Sequence, residues 1–512
     1  KEKNVAELTE VFNELEFRAL AKRVLGEPEA AQPLDLFGNV IPQKKVAPAT
    51  VRENPAPVTT AATEGEETDT TPTGGYATIH TTPHQYTLVQ TPEAINALVQ
   101  ELMGQNEIAF DTETTNIDAN LAELVGMSFS YKKGTGYFVA VPTDRNGVLD
   151  VLKQFQPLFD REDVLWIGQN IKYDMLMLKW YGFQLRGHIY DTMLANYVID
   201  PDGKRSMDIM SMKYLGYEPV SIETLIGKKG KGQLSMRDAP LEEVKEYAAE
   251  DADVTLQLRE AFAPLLITNS VAPIFENVEN PLVPVLVDME YEGVGLDVPF
   301  LQQYSASLAG EIAIAEENVY KHAGVKFNIG SPKQLGEVLF EHLKIDAGQK
   351  KTKTGQYATG EDVLQKLRNK HQIVEDILAY RELTKLKSTY VDSLPSLINP
   401  KTGRLHTSFN QALVVTGRLS SNNPNLQNIP IRTDRGREIR KAFIPRGEGY
   451  CLVSADYSQI ELRIVAAISG DENMINAFRE HKDIHTATAA RVYGVEEKDV
   501  TKDMRRAAKA VN

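Results

Sequence analysis

The chain has 512 residues, 42% of them hydrophobic and 25% charged, which suits two to four folded domains. Its single cysteine, Cys451, excludes an internal disulfide and a cysteine-based zinc site. No signal peptide or long apolar run is present, which argues against a spanning segment and for a cytosolic chain, and a formal charge of −15 leaves any binding of a polyanion to local cationic tracks.

Residues 1 to 26 set Val5, Leu8, Val11, Phe12, Leu15, Phe17, Leu20 and Val24 among charges, the spacing of an amphipathic helix. Residues 27 to 75 are rich in Pro, Ala, Thr and Glu; they bury too little to fold alone and are expected to be a flexible tether. From Asn106 an apolar run turns acidic at its end, Phe110-Asp111-Thr112-Glu113-Thr114, as at the end of a strand in an α/β sheet. Residues two apart share a strand face, so Asp111 and Glu113 project together. The next apolar run, Val164 to Ile167, leads through Gly168-Gln169-Asn170 to Asp174, a strand, a loop and a helix start. A helix-start acid also stabilises through the macrodipole with no metal involved. Residues 241 to 256 have helical periodicity, with Tyr247 and Asp251 four apart on one face; Glu250 and Asp253 are expected to be solvated acids of that helix.

Asp-x-Glu on a strand, Asn-x3-Asp after a strand and Tyr-x3-Asp on a helix, in that order, resemble the three motifs of the DnaQ-like (RNase H-like) 3′→5′ exonucleases over residues 76 to 265. The chemistry suits the residue types: a phosphodiester is anionic, paired divalent cations offset the charge that builds on hydrolysis, and hard cations prefer carboxylate oxygen. The resemblance implies that Asp111, Glu113 and Asp251 hold one Mg²⁺ and Asp111 with Asp174 a second, with Mn²⁺ as a substitute, and that Tyr247 orients the attacking water at a single-stranded DNA 3′ end.

Further along, a helical stretch from about 361 to 390 ends in Lys385-Leu386-Lys387; other lysine runs lie at 228 to 231 and 350 to 353. A polar loop, Thr416-Gly417-Arg418-Leu419 with Asn425-Leu426-Gln427, has the Asn and Gln content of a turn. Leu452-Val453-Ser454-Ala455-Asp456-Tyr457 reads as a strand ending in an acid and running into a helix that carries Glu461. Asp471-Glu472, between Gly470 and Asn473, reads as a turn. His485 precedes a segment in which Arg505 and Lys509, four apart, make one cationic stripe on a helix.

Together these segments resemble family A DNA polymerases of the bacterial large-fragment type, in which such an exonuclease comes first. The resemblance implies thumb (about 280 to 400), palm (about 401 to 470) and the start of fingers (471 to 512), within a polymerase portion from 266. It implies that Asp456 binds both Mg²⁺ ions of nucleotidyl transfer with the carbonyl of Tyr457, and that Glu461 is a steric gate against ribose. Arg418, Asn425 and Gln427 would read minor-groove acceptors present in every correct pair, and Lys385 and Lys387 would face primer-template DNA. His485, Arg505 and Lys509 would grip the dNTP triphosphate. For Arg418 the plain alternative is a surface ion pair.

The family pattern continues past Asn512 to a second palm acid, so the expectation is a polymerase truncated within the fingers, with the exonuclease site whole, a C-terminal chain as a possible complement and residues 1 to 26 a remnant after a 5′ nuclease domain. The expected activity is DNA-directed DNA synthesis with 3′→5′ proofreading in the cytoplasm on nucleoid DNA. The alternatives are a stand-alone exonuclease that uses the polymerase remnant to hold DNA, and a non-catalytic DNA-binding module.

Overall fold

The computed structural model describes residues 75–230, 232–346, 351 and 355–509. The expected N-terminal helix, all but the last residue of the tether, Lys231, Lys350, Thr352, Lys353 and Asn512 lie outside the described residues.

Short, largely apolar runs give six strands in one mixed sheet: β1 (Gln85–Val89), β2 (Glu107–Thr114), β3 (Leu124–Ser130), β4 (Thr135–Ala140), β5 (Leu165–Gly168) and β6 (His188–Asp191), in spatial order β1-β4-β3-β2-β5-β6. β3 is antiparallel to both β2 and β4, while β1 runs parallel to β4, and β5 runs parallel to β2 and β6. Helices α1 (Pro92–Leu102), α2 (Arg145–Phe159), α3 (Lys172–Trp180) and α4 (Thr192–Ile199) follow strands, and the long α5 (Leu241–Thr268) lies across β1 to β4. Phe110, Phe129, Phe155, Phe159 and Trp166 are fully buried in the core, with ring centroids 5.2 to 6.2 Å apart. This burial is the main stabilising term.

α5 meets the sheet through small residues. Ala248, Ala249 and Ala252 are completely buried, and at Gly136 on β4 a Cβ would stand 2.7 Å from the carbonyl oxygen of Ala249. Glycine at 136 therefore sets how closely this helix approaches the strands.

The remaining chain is mostly helical. After α6 (Asn280–Glu292) the short strand Gly295–Leu296 pairs antiparallel with Phe443–Ile444. The long α7 (Val298–Ala323) packs along α8 (Gln372–Lys385) and serves two apolar cores, Leu301 and Leu308 in one and Val319 and Ala323 in the other. The expected helix from 361 to 390 is broken: Glu361–Leu367 is one helix, and His371 starts the next by accepting a hydrogen bond from the amide of Ile373. Asp471 is the N-cap of helix Glu472–Arg479, and Gly470, with φ +66°, ends α9 (Ile460–Ser469); the turn at 470–472 joins two helices.

The expected strand at Leu452 to Asp456 does not form. These residues carry no regular structure, and Leu452 and Val453 are 57% and 84% exposed. A strand exists only through the partner that takes up its amides and carbonyls, and among the described residues none pairs with this segment.

Candidate active site

Asp111 and Glu113 stand on the last half of β2. The pairing of β2 with β5 stops at Ala109, whereas its pairing with β3 runs on to Thr114. Past the point where β2 and β5 part, the amide of Thr112 goes to a side chain instead: Asp174 Oδ1 accepts from Thr112 N at 3.0 Å and from Thr112 Oγ1 at 2.5 Å. Asp174 is thus in the first turn of α3, where the macrodipole favours an anion, and it is also bound to the strand that bears the other acids. α5 supplies the next acid, Asp251. Carboxylate oxygens of Asp111, Glu113 and Asp251 all lie within 4.8 Å of one another.

Glu113, Asp174 and Asp251 are buried and Asp111 is half-buried. Burial pushes the Asp111 carboxyl up to about 7. Burial, and then the neighbouring Asp111 charge, raise Glu113, Asp174 and Asp251 well above the usual carboxylate range. Negative charge gathered in low dielectric without a local counter-charge is costly. An all-oxygen donor set of this kind fits a hard divalent cation. Tyr247, one turn before Asp251, is half-buried, and its phenol is held protonated first by burial and then by the charge of Asp251.

Two features of the site were not foreseen from sequence. Thr112 is one. The other is Asp191, the N-cap of α4, whose carboxylate accepts from the amides of Asn170, Ile171, Met193 and Leu194 and so ties the loop before Asp174 to the next helix. An Asp directly before a helical run was the available signal. One expectation is corrected. Glu250 and Asp253 are buried, not solvated: Glu250 accepts from Tyr217 Oη and from Val220 N at 2.7 Å, and Asp253 from Tyr86 Oη at 3.0 Å and Gly134 N at 3.0 Å. Because α5 crosses the sheet, its second face meets protein rather than water.

The residues singled out further along the chain are more dispersed. Arg418 and Glu461 pair with each other at 2.7 Å on the surface, the plain alternative for that arginine. Asn425 Oδ1 accepts from Gln427 N, and Gln427 Nε2 donates to Leu419 O at 3.0 Å, so both amides shape their own loop. Lys385 is exposed, whereas Lys387 is engaged with Ser305 and Asp392. Asp456 and Tyr457 are exposed, and Asp456 joins no acid cluster among the described residues. His485 lies on α10 (Ile484–Tyr493); burial, then the charge of Arg505, lowers its pKa, Asp483 opposes, and Lys509 acts in the lowering sense. Arg505, on α11 (Lys502–Ala508), forms two hydrogen bonds to Asp483, and Lys509 caps that helix.

Residues 86–267 match the family model of a 3′-5′ exonuclease, and residues 298–512 match that of DNA polymerase family A. A DNA polymerase I from Pseudomonas aeruginosa is 45% identical over 83% of this chain and 48% of its own length; one from Chloroflexus aurantiacus is 40% identical over 98% and 52%. The chain thus spans about half the length of these curated relatives. Among solved structures, the POL domain of Pol1 from M. smegmatis, in complex with DNA primer-template and dNTP, is similar with a TM-score of 0.68 and 32% identity, covering 83% of this chain and 70% of that one.

Proposed function

Since the chain belongs to DNA polymerase family A, we propose that it is the proofreading and partial polymerase portion of a DNA polymerase I: residues 76 to 265 remove nucleotides from DNA 3′ ends, and residues from 266 on contribute to template-directed DNA synthesis. The observation that carries the first part is the convergence of Asp111, Glu113 and Asp251 within 4.8 Å, with Asp174 bound to the same strand.

Asp111, Glu113 and Asp251 would hold one Mg²⁺, and Asp111 with Asp174 a second; Mn²⁺ fits the same oxygens. Bound there, such ions would lower the pKa of water and offset charge on the leaving oxygen. The chain's own groups do the rest. Asp174 has Oδ1 committed to both the amide and the hydroxyl of Thr112, so its orientation is fixed before substrate arrives. The Tyr247 phenol, kept protonated, orients a water beside Asp251.

In the polymerase portion, Asp456 and the Tyr457 carbonyl would hold metal, Glu461 would exclude a ribose 2′-hydroxyl, and Arg418, Asn425 and Gln427 would contact the minor groove at the primer end. His485, Arg505 and Lys509 would take the dNTP triphosphate, and Lys385 and Lys387 would lie along duplex DNA. The packing of α10, which carries His485, against α11, which carries Arg505, supports the triphosphate assignment. Work on nucleoid DNA in the cytoplasm follows from the same reading. The match of residues 298–512 to the polymerase family weighs against a stand-alone exonuclease.

The test is hydrolysis of a 5′-labelled single-stranded oligonucleotide in Mg²⁺. Stepwise shortening of the labelled strand should require the metal and vanish in Asp174→Ala; undiminished shortening by that variant, in a preparation free of other nucleases, would refute the exonuclease assignment.

A further inference from the structure

The loop that ends in Arg418 belongs to the polymerase portion by sequence, yet it is built on the exonuclease. Ala412 is buried in the exonuclease core. Gln411 Nε2 donates to Glu279 at 2.7 Å, and Phe409 N donates at 2.7 Å to Glu290, the partner of Lys172 in α3. From there the chain turns outward: Leu413 and Val415 are 58% and 55% exposed. One buried side chain reaches this turn. Tyr197 of α4 is 4% exposed; its hydroxyl donates to Val414 O at 2.7 Å and accepts from Gly417 N at 3.1 Å. Gly417 N also bonds Val414 O at 3.2 Å, closing the turn, and Gly417 has φ +75°, a conformation glycine adopts without strain.

A phenol that acts as donor and acceptor to both ends of one tight turn fixes the direction in which the next residue leaves. That residue is Arg418. We infer that Tyr197 is a positioning residue for the primer-end contact: a buried hydroxyl of the exonuclease domain sets the geometry of the arginine that senses the primer terminus of a recessed duplex. The inference rests on the assignment of Arg418 to DNA. It makes primer-end recognition depend on an intact contact between the two domains.

The experiment measures affinity of the full chain in EDTA, where hydrolysis is off, for a recessed primer-template duplex and for a single strand. Tyr197→Phe keeps the ring and removes the hydroxyl. It should weaken duplex binding about fivefold, the scale of one hydrogen bond, and leave single-strand affinity unchanged. The double variant with Arg418→Ala should bind no more weakly than Arg418→Ala alone, because both changes act on one contact. Gly417→Ala, where the added Cβ meets nothing within 4 Å but φ is strained, should reproduce the loss. Hydrogen exchange over residues 413–418 should quicken in Tyr197→Phe. Wild-type duplex affinity in Tyr197→Phe beside a clear loss in Arg418→Ala, additive losses in the double variant, or an equal loss for single strands would each overturn the positioning role. Undiminished duplex binding by Arg418→Ala would remove the DNA assignment itself, and the inference with it.

Discussion

Thr112 lies between two metal-ligand candidates on β2 and holds a third. Its side chain points away from Asp111 and Glu113 by strand alternation, which is why a pattern written as Asp-x-Glu leaves it anonymous. Thr112→Val keeps the amide bond to Asp174 and loses the hydroxyl, so divalent-ion affinity should fall about tenfold, as for other outer-shell partners. Mn²⁺ titration followed by electron paramagnetic resonance reads this directly, and an unchanged binding curve would count against it. The same acids make a pH prediction. In the folded chain Asp111 holds its proton up to about 7 against an ordinary 3.8, so between those values the folded state binds a proton that the unfolded state has released. Metal-free stability therefore falls as pH rises across that window. In EDTA the melting midpoint should drop by about 5 °C from pH 5 to pH 8, and Mg²⁺ should restore it at pH 8 far more than at pH 5. The clustered acids were legible because metal chemistry restricts residue type; the groups that hold them were not, because hydroxyls and capping acids occur everywhere.

At the scale of elements, the position of Asp251 depends on how α5 sits on the sheet. Gly136→Ala would put a Cβ 2.7 Å from the Ala249 carbonyl oxygen, too close to be accommodated unless the helix shifts. Overpacking of this kind costs about 1–3 kcal/mol, but excision should fall more than stability suggests, by about tenfold or more, since ligand geometry tolerates little displacement. A melting curve paired with a turnover assay separates the two effects; equal retention of both would show that the seam yields harmlessly. Periodicity found β2, β5, α3 and α5 because each carries its pattern locally. It misjudged Glu250 and Asp253, since a helix covered on both faces has no solvent side on which to place its acids. It also gave Leu452 to Asp456 a strand, since an apolar run ending in an acid states a preference while pairing depends on a neighbour. Within α9 to α11, helices appear where expected, and α10, which carries His485, packs against α11, which carries Arg505.

Over the whole molecule, the net charge of −15 says little about DNA, because acids are gathered into the buried site while Lys385 stands exposed on a separate helix. The division of the chain is also less sharp in space than along the sequence. The exonuclease family match ends at residue 267, whereas its apolar core goes on to enlist Phe275, Val283 and Val287 from the following helices and Ala412 from far beyond. No local pattern announces such borrowing, since these residues would be equally at home in a core of their own. A gene cut to end at residue 267 would thus leave an oily scar on one flank. Such a product should clump and be less stable than a version carried through Glu292 by about 3 kcal/mol or more for lost aromatic and aliphatic burial; equal solubility and stability of the two would argue otherwise. Trimming this domain to its minimal match would discard part of its own keel.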